Sequence, residues 1–155
     1  MADFLWPSGL HGYWKSAYLN RLSDEAIETI TEFFARVPSS RTVVVLEHGQ
    51  GAMGRVPESA TAFSHRGWSY NLVITSAWSD PKDTDQNLAW TRDFFAAMQP
   101  FLAKAAYVNY LSGDEGSDGL KAAYGAATLA RLTALKVRYD PSNLLRMNQN
   151  VVPRT

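Results

Sequence analysis

The sequence predicts an α+β domain in which helices cover a largely antiparallel sheet and a last helix runs into an extended tail. Three observations carry this. Short β-branched runs stand at "RTVVVLEH" and "WSYNLVITSAW", long segments with helical apolar spacing stand between and after them, and the link following the first run is too short for a crossover helix. At 155 residues, the chain has the length of one domain able to bury a core without disulfides or metal.

Residues 1 to 22 read as an irregular aromatic opening. "LSDEAIETITEFFARVPS" is a helix, capped by Ser23, with Asp24 and Glu25 at the positive end of its dipole. Ile27, Ile30, Phe33, Phe34 and Val37 give it a helical apolar face, and Pro38 ends it. The run through Val43 to Val45 is a buried strand, and the second half of GQGAMGRV is expected to return as a paired strand through Val56. Trp68 to Trp78 is apolar on both faces, which places it centrally in a covered sheet, closed by Asp80 and Pro81. Leu88, Trp90, Phe94, Phe95, Met98 and Leu102 mark a second helix, with Pro100 in its last turn. "AAYVNYL" returns to strand, "SGDEGSDG" is a polar loop, and "LKAAYGAATLARLTALKVRYDP" is a third helix that Gly125 divides. The domain divides into a core over residues 1–137 and a C-terminal segment over 138–155.

Composition narrows the function. Fifteen basic residues balance fifteen acidic ones, which argues against an electrostatic hold on nucleic acid or anionic membrane. The absence of cysteine removes disulfides and thiolate chemistry. With no basic leader and no apolar run of about 18 residues, a cytoplasmic chain is the expectation. Gly49-Gln50-Gly51-Ala52-Met53-Gly54 fits a dinucleotide-binding fingerprint by letter, yet Arg55, Val56 and Pro57 follow where a helix must begin. A glycine turn is the better reading. His11, His48 and His65 have no metal-ligand spacing, and no G-x-S-x-G occurs. Glu47 and His48 at a strand end are able to do acid-base chemistry, as residues at many strand ends are. His65 with Arg66 could meet an anionic group just before the central strand, though the preferred reading is solvated loop residues, and Asp114 with Glu115 read as solvated. In a strand, Tyr107 and Asn109 face one way while Val108 and Tyr110 face the other. Tyr110 by itself reads as a packing or interface residue, because a phenol needs a nearby cation or electron sink to act as a base.

Several segments together resemble the berberine-bridge-enzyme-like FAD-linked oxidases. These are "YVNYL", "AAYG" and above all "ARLTALKVRYDPSNLLRMNQNVVP", where Arg131, Leu132, Leu135, Lys136, Tyr139, Asp140, Pro141, Asn143, Arg146, Asn148, Gln149, Asn150 and Pro153 match that family's C-terminal signature. Leu145 and Val151 depart mildly from it. "YWKSAYL", "AFSHR" and "NLAWTRDFF" are similar to the family's substrate domain. The resemblance implies an oxidation of an alcohol, sugar or alkaloid-like carbon, with FAD as hydride acceptor. It implies Tyr110 as the catalytic base and Tyr107, Asn109, Asn148 and Asn150 as residues near the flavin. The family's separate FAD domain has no counterpart here, so the expected partner is a flavin-domain chain or a second copy, besides a small-molecule substrate. A free-standing ligand-binding or dimerising module, or an inactive remnant, is the alternative. The tail is then a docking strip whose Asn148, Gln149 and Asn150 hydrogen-bond a flavin domain, and which without one is disordered or lies against a second copy.

Overall fold

A computed structural model describes residues 7–153. Its order is β1 (His11–Leu19), α1 (Asp24–Ala35), β2 (Val43–His48), β3 (Tyr70–Trp78), α2 (Thr84–Met98) and α3 (Gly116–Tyr139), with single 3-10 turns between them. The three strands form one antiparallel sheet in the order β1-β3-β2, which confirms β3 as the central strand. Register pairs Trp14 with Thr75 and Tyr18 with Asn71 on one side, and Val45 with Val73 and Glu47 with Asn71 on the other.

Alternation then divides the sheet. Leu72 and Ile74 of β3, with Leu19, Val44 and Leu46 beside them, face α1 and α2 and build the main core with Phe33, Trp90, Phe94 and Met98. Phe94 is fully buried, its ring stacked on Phe33 at 4.9 Å and edge-on to Trp90 at 5.4 Å. The Trp90 indole N–H donates to Phe33 O at 3.1 Å, so this large ring is buried without leaving its polar atom unmet. The opposite face carries Trp14, Ser16, Tyr18, Val45, Glu47, Asn71, Val73 and Thr75 by the same register, and no helix of the main core covers it.

Local signals place the helices well. Ser23 adopts extended backbone and its hydroxyl accepts from Ala26 N–H, capping α1 as expected. Asp80 closes β3 by accepting from Lys82 N–H. Gly125 breaks α3 at φ 69° and ψ 162°, a left-handed position suited to glycine. The break strands helix carbonyls, and the 64–65 loop meets two of them: Ser64 Oγ donates to Tyr124 O at 2.9 Å, and the His65 ring N–H to Ala122 O at 2.7 Å. His65, expected to be solvated, is therefore structural, as is Ser64 beside it.

Four further expectations are corrected. The irregular opening contains β1, whose mixed sequence HGYWKSAYL has no clean alternation because its first half is largely exposed and its second half buried. The part of that opening before Pro7 lies outside the described residues, as do Arg154 and Thr155 of the tail. Val56 joins no strand: Gly51, at φ 84°, turns the chain into a single 3-10 turn at Met53–Arg55. The expected strand at AAYVNYL lasts only long enough for Tyr18 to exchange backbone hydrogen bonds with Ala103 and Ala105, and the chain then coils into a 3-10 turn at Val108–Tyr110. Finally, Asp114 and Glu115 are not free in solvent, since each accepts from Lys15 Nζ at 2.8 Å.

Candidate functional site

The 3-10 turn at Val108–Tyr110 assembles the candidate site. In a strand, Tyr107 and Tyr110 face opposite ways; in the turn their rings meet edge-to-face at 5.4 Å, and Asn109 Nδ2 donates to the Tyr107 hydroxyl at 2.8 Å. Tyr110 N–H bonds back to Tyr107 O at 2.9 Å, which closes the turn. The knuckle so formed sits over the uncovered face of the sheet.

There the Tyr110 hydroxyl donates to Glu47 Oε1 at 2.8 Å, across 63 residues of sequence. The second carboxylate oxygen, Oε2, accepts from Asn71 Nδ2 at 2.8 Å. Both oxygens of Glu47 are thus oriented, one by the buried amide of the central strand and one by the phenol. Burial, and then the hydrogen bond and charge of Glu47, push the Tyr110 phenol up to about 12. Tyr18 beside it is pushed to about 12 by burial and by the neighbouring Tyr107, Glu47 and Tyr110. Tyr110 is therefore a neutral phenol that holds its proton and donates it as a hydrogen bond to Glu47, rather than standing as a phenolate.

This pair closes one end of a groove of about 510 Å³ lined by Trp14, Val45, Glu47, Val73, Thr75, Asn109 and Tyr110. Its walls are apolar strand residues and its polar groups converge at Tyr110, an arrangement common to small-molecule sites. On the far side of Trp14 lies a larger cleft of about 620 Å³ between the tail, α3 and the 111–117 loop, and Asn148, Gln149 and Asn150 line it. The five residues expected at the site are thus divided: Asn109 and Tyr110 line the groove, Tyr107 packs against Tyr110 but lines a separate pocket with Tyr18 and Phe63, and Asn148 and Asn150 line the neighbouring cleft, with Trp14 shared by groove and cleft. Sequence reasoning passed over Asn71 and Trp14. A polar residue in an otherwise apolar central strand was the available sign for Asn71, while Trp14 was hidden with β1.

The tail is ordered by its own chain. Asp140 caps the end of α3, accepting from Leu144 N–H at 2.7 Å, Leu145 N–H at 3.0 Å and Lys136 Nζ at 2.6 Å. The hydrogen bond from Lys136, followed by those two backbone amides, holds the Asp140 carboxyl below the usual carboxylate range against the opposing effect of burial. Gln149 turns inward and donates to Leu111 O at 2.8 Å. The outward residues are aliphatic: Leu144, Leu145 and Met147 are 79%, 80% and 83% exposed. Asn150 Oδ1 is buried without a partner. A second network fixes the 112–115 loop against β1, with Tyr13 and Lys15 donating to Asp114 at 2.7 and 2.8 Å and Ser112 also bonding to it. Although burial opposes it, the bonds from Lys15, Ser112 and Tyr13 hold the Asp114 carboxyl far below its ordinary value.

Fit to a flavin is partial. The exposed polar edge at Asn109 and Tyr110 and the unpartnered Asn150 oxygen suit the edge of a heterocyclic ring. Gly49 to Gly54, the stretch that fits a dinucleotide fingerprint by letter, lead only into the Met53–Arg55 turn and open no helix that would cradle a pyrophosphate. Among the described residues no helix is long and apolar enough to cross a membrane, and no cluster of His, Asp and Glu could hold a metal ion.

Residues 106–152 match the family model "Berberine and berberine like". The chain is 30% identical over 143 residues to the uncharacterized FAD-linked oxidoreductase YvdP of Bacillus subtilis, covering 92% of this chain and 30% of that protein. BBE-like 1 of Physcomitrella patens superposes with a TM-score of 0.80 at 25% identity, over 93% of this chain and 31% of that one. The berberine bridge enzyme of Eschscholzia californica shares the fold with a TM-score of 0.85 at 21% identity, over 94% and 33% of the two chains. The chain thus spans about a third of the length of the relatives it matches.

Proposed function

Since the chain belongs to the berberine-bridge-enzyme-like FAD-linked oxidases and spans about a third of such a protein, we propose that it is the substrate-facing and C-terminal portion of an FAD-dependent alcohol or sugar oxidase. The observation that carries this reading is the Tyr110 hydroxyl bonded at 2.8 Å to Glu47 at the end of an apolar groove. The groove receives the carbon skeleton, and the carbinol lies against Tyr110. When bound, flavin supplies the hydride acceptor. As the hydride leaves the carbinol carbon, its O–H proton moves to the Tyr110 oxygen and the phenol's own proton moves to Glu47 Oε1, leaving a carbonyl product. Such a relay avoids forming a phenolate whose environment disfavours it. Asn71 is a positioning residue, holding the other Glu47 oxygen.

Tyr107, Asn109, Asn148 and Asn150 would lie nearest the flavin, which the rest of the oxidase must hold. The exposed Leu144, Leu145 and Met147 are the surface that docks this flavin-holding part, because an aliphatic cluster displayed by an ordered turn otherwise stays in water. Docking is thus assigned to aliphatics, with Gln149 working inside the chain. The carbinol class and a cytoplasmic setting follow the same reading. A second copy is the other candidate partner, favoured by one observation: the outer edge of β2 pairs with no strand among the described residues. Complementation tests the proposal. The chain alone with FAD turns over no alcohol; joined to the flavin-holding part of a related oxidase, it converts an alcohol to a carbonyl product. Failure of every such assembly to oxidise alcohols or sugars contradicts the assignment, and sedimentation reads out any dimer.

A further inference from the structure

Leu111, directly after Tyr110, is held from three sides. Its N–H bonds to Val108 O at 3.3 Å, which completes the 3-10 turn carrying Tyr110. Its side chain is buried against Ala106, Val108, Leu120 and Ala123, in a space left open because position 119 is glycine: a Cβ there would stand 3.2 Å from Leu111 Cδ2. Its carbonyl accepts from Gln149 Nε2 at 2.8 Å, across 38 residues of sequence. The tail is shaped to make that bond. Asn148 takes left-handed backbone at φ 56°, a conformation asparagine tolerates better than most residues. Asn150 N–H bonds back to Asn148 O at 2.9 Å, closing a three-residue turn with Gln149 at its apex. Gln149 is thereby sent inward, while Met147, two residues earlier, stays in water. Beyond Leu111, residues 112–115 are clamped to β1, where Lys15 Nζ donates to Ser112 Oγ at 3.1 Å and to Asp114 and Glu115 at 2.8 Å. With that side fixed to the sheet, the Gln149 bond is the restraint on the turn that follows the position of the tail.

We infer that Gln149 is a positioning residue for Tyr110, which it aims at Glu47 by holding the Leu111 carbonyl, so that the seating of the tail sets the geometry of the Tyr110–Glu47 pair. Under the proposed oxidase reading, on which this assignment of purpose rests, docking of the flavin-holding part on Leu144, Leu145 and Met147 steadies the pair through Gln149. The aiming itself needs no flavin, so it stands or falls separately from turnover.

Gln149→Met tests it, since methionine keeps the length of the side chain and removes only the donor. In NMR titration of the flavin-free chain with ring-labelled tyrosine, the Tyr110 phenol is expected to fall below about 12, by at most about one pH unit. It falls no further when Gln149→Met is added to Glu47→Gln, because the effect passes through that hydrogen bond. Tyr18, held at about 12 chiefly by its own burial, is expected to stay where it is, whereas a general loosening would lower both. In an assembly with a flavin-holding part, Gln149→Met slows flavin reduction by about tenfold with substrate binding unchanged, and adds no slowing to Tyr110→Phe. A Tyr110 titration that Gln149→Met leaves unmoved, an equal fall at Tyr18, flavin reduction at the unaltered rate, or the same slowing on top of Tyr110→Phe overturns the inference. A fall at Tyr110 alone, with no oxidation by any flavin assembly, leaves the positioning standing and removes the oxidase reading.

Discussion

Replacing Glu47 by Gln separates the two causes that raise the Tyr110 phenol. The ordinary phenol value is 10.0 and that of Tyr110 is about 12, with burial the larger cause and Glu47 the next. Glutamine keeps the shape, the burial and a hydrogen-bond acceptor while removing the charge. The Tyr110 value is therefore expected to fall by no more than about one pH unit and to stay above 10, because burial remains. NMR titration of ring-labelled tyrosine, with Tyr110→Phe identifying the signal, reads this directly. A second measure is the coupling between Glu47→Gln and Tyr110→Phe in urea unfolding, expected at about 1 kcal/mol for a hydrogen bond at a partly exposed site. Linkage gives the pH dependence. The unfolded chain releases these phenol protons near 10 while folded Tyr110 and Tyr18 keep theirs to about 12, so their stabilisation is complete below pH 10 and lost as pH rises to 12. A Tyr110 titration that Glu47→Gln leaves unmoved, together with zero coupling, would refute the pairing.

Other perturbations probe the frame around the site. Phe94→Ala opens a cavity in the main core and should cost about 3–5 kcal/mol in urea unfolding, whereas Ser23→Ala, which removes only the α1 cap, should cost about 1 kcal/mol. Asp140→Asn weakens the brace on Leu144 and Leu145, and faster amide exchange is expected across 144–150 with the rest of the chain unchanged. Because the folded Asp140 and Asp114 carboxyls titrate below their ordinary value of 3.8, their stabilisation is present above that value and lost as pH falls through the lower folded values. Slow exchange of the 144–150 amides should accordingly persist through mild acid; exchange that accelerates already at pH 5 speaks against the Asp140 brace.

Strong local signals carried most of the fold. The cap at Ser23, the helical spacing from Ile27 to Phe34 and the two-faced apolar run of β3 each have a local cause that tertiary contacts did not override. β1 was not legible, because half of it is exposed and its pairing with β3, rather than its own pattern, makes it a strand. The same limit applied at the site. Tyr107, Asn109 and Tyr110 were singled out, but as strand residues they pointed apart; the 3-10 turn that unites them depends on bonds to Tyr18 and to one another that no periodicity announces. Glu47 was visible only as one acidic residue at a strand end. Its importance comes from a contact 63 residues away. In the tail the signature was legible as a pattern but the direction of each side chain was not: Gln149, expected to bond to another domain, bonds within its own chain, and Leu144, Leu145 and Met147 are the most exposed of the described aliphatics.

Single-turnover reduction of flavin, followed by the loss of its 450 nm absorbance on mixing with an alcohol substrate, is the most direct test of the proton relay. In an assembly of this chain with a flavin-holding domain, Tyr110→Phe is expected to slow bleaching by about 100-fold or more, the usual contribution of a positioned acid-base group, and Glu47→Gln to slow it while Tyr110 remains in place. Bleaching at the unaltered rate in Tyr110→Phe, with substrate binding unchanged, contradicts the account.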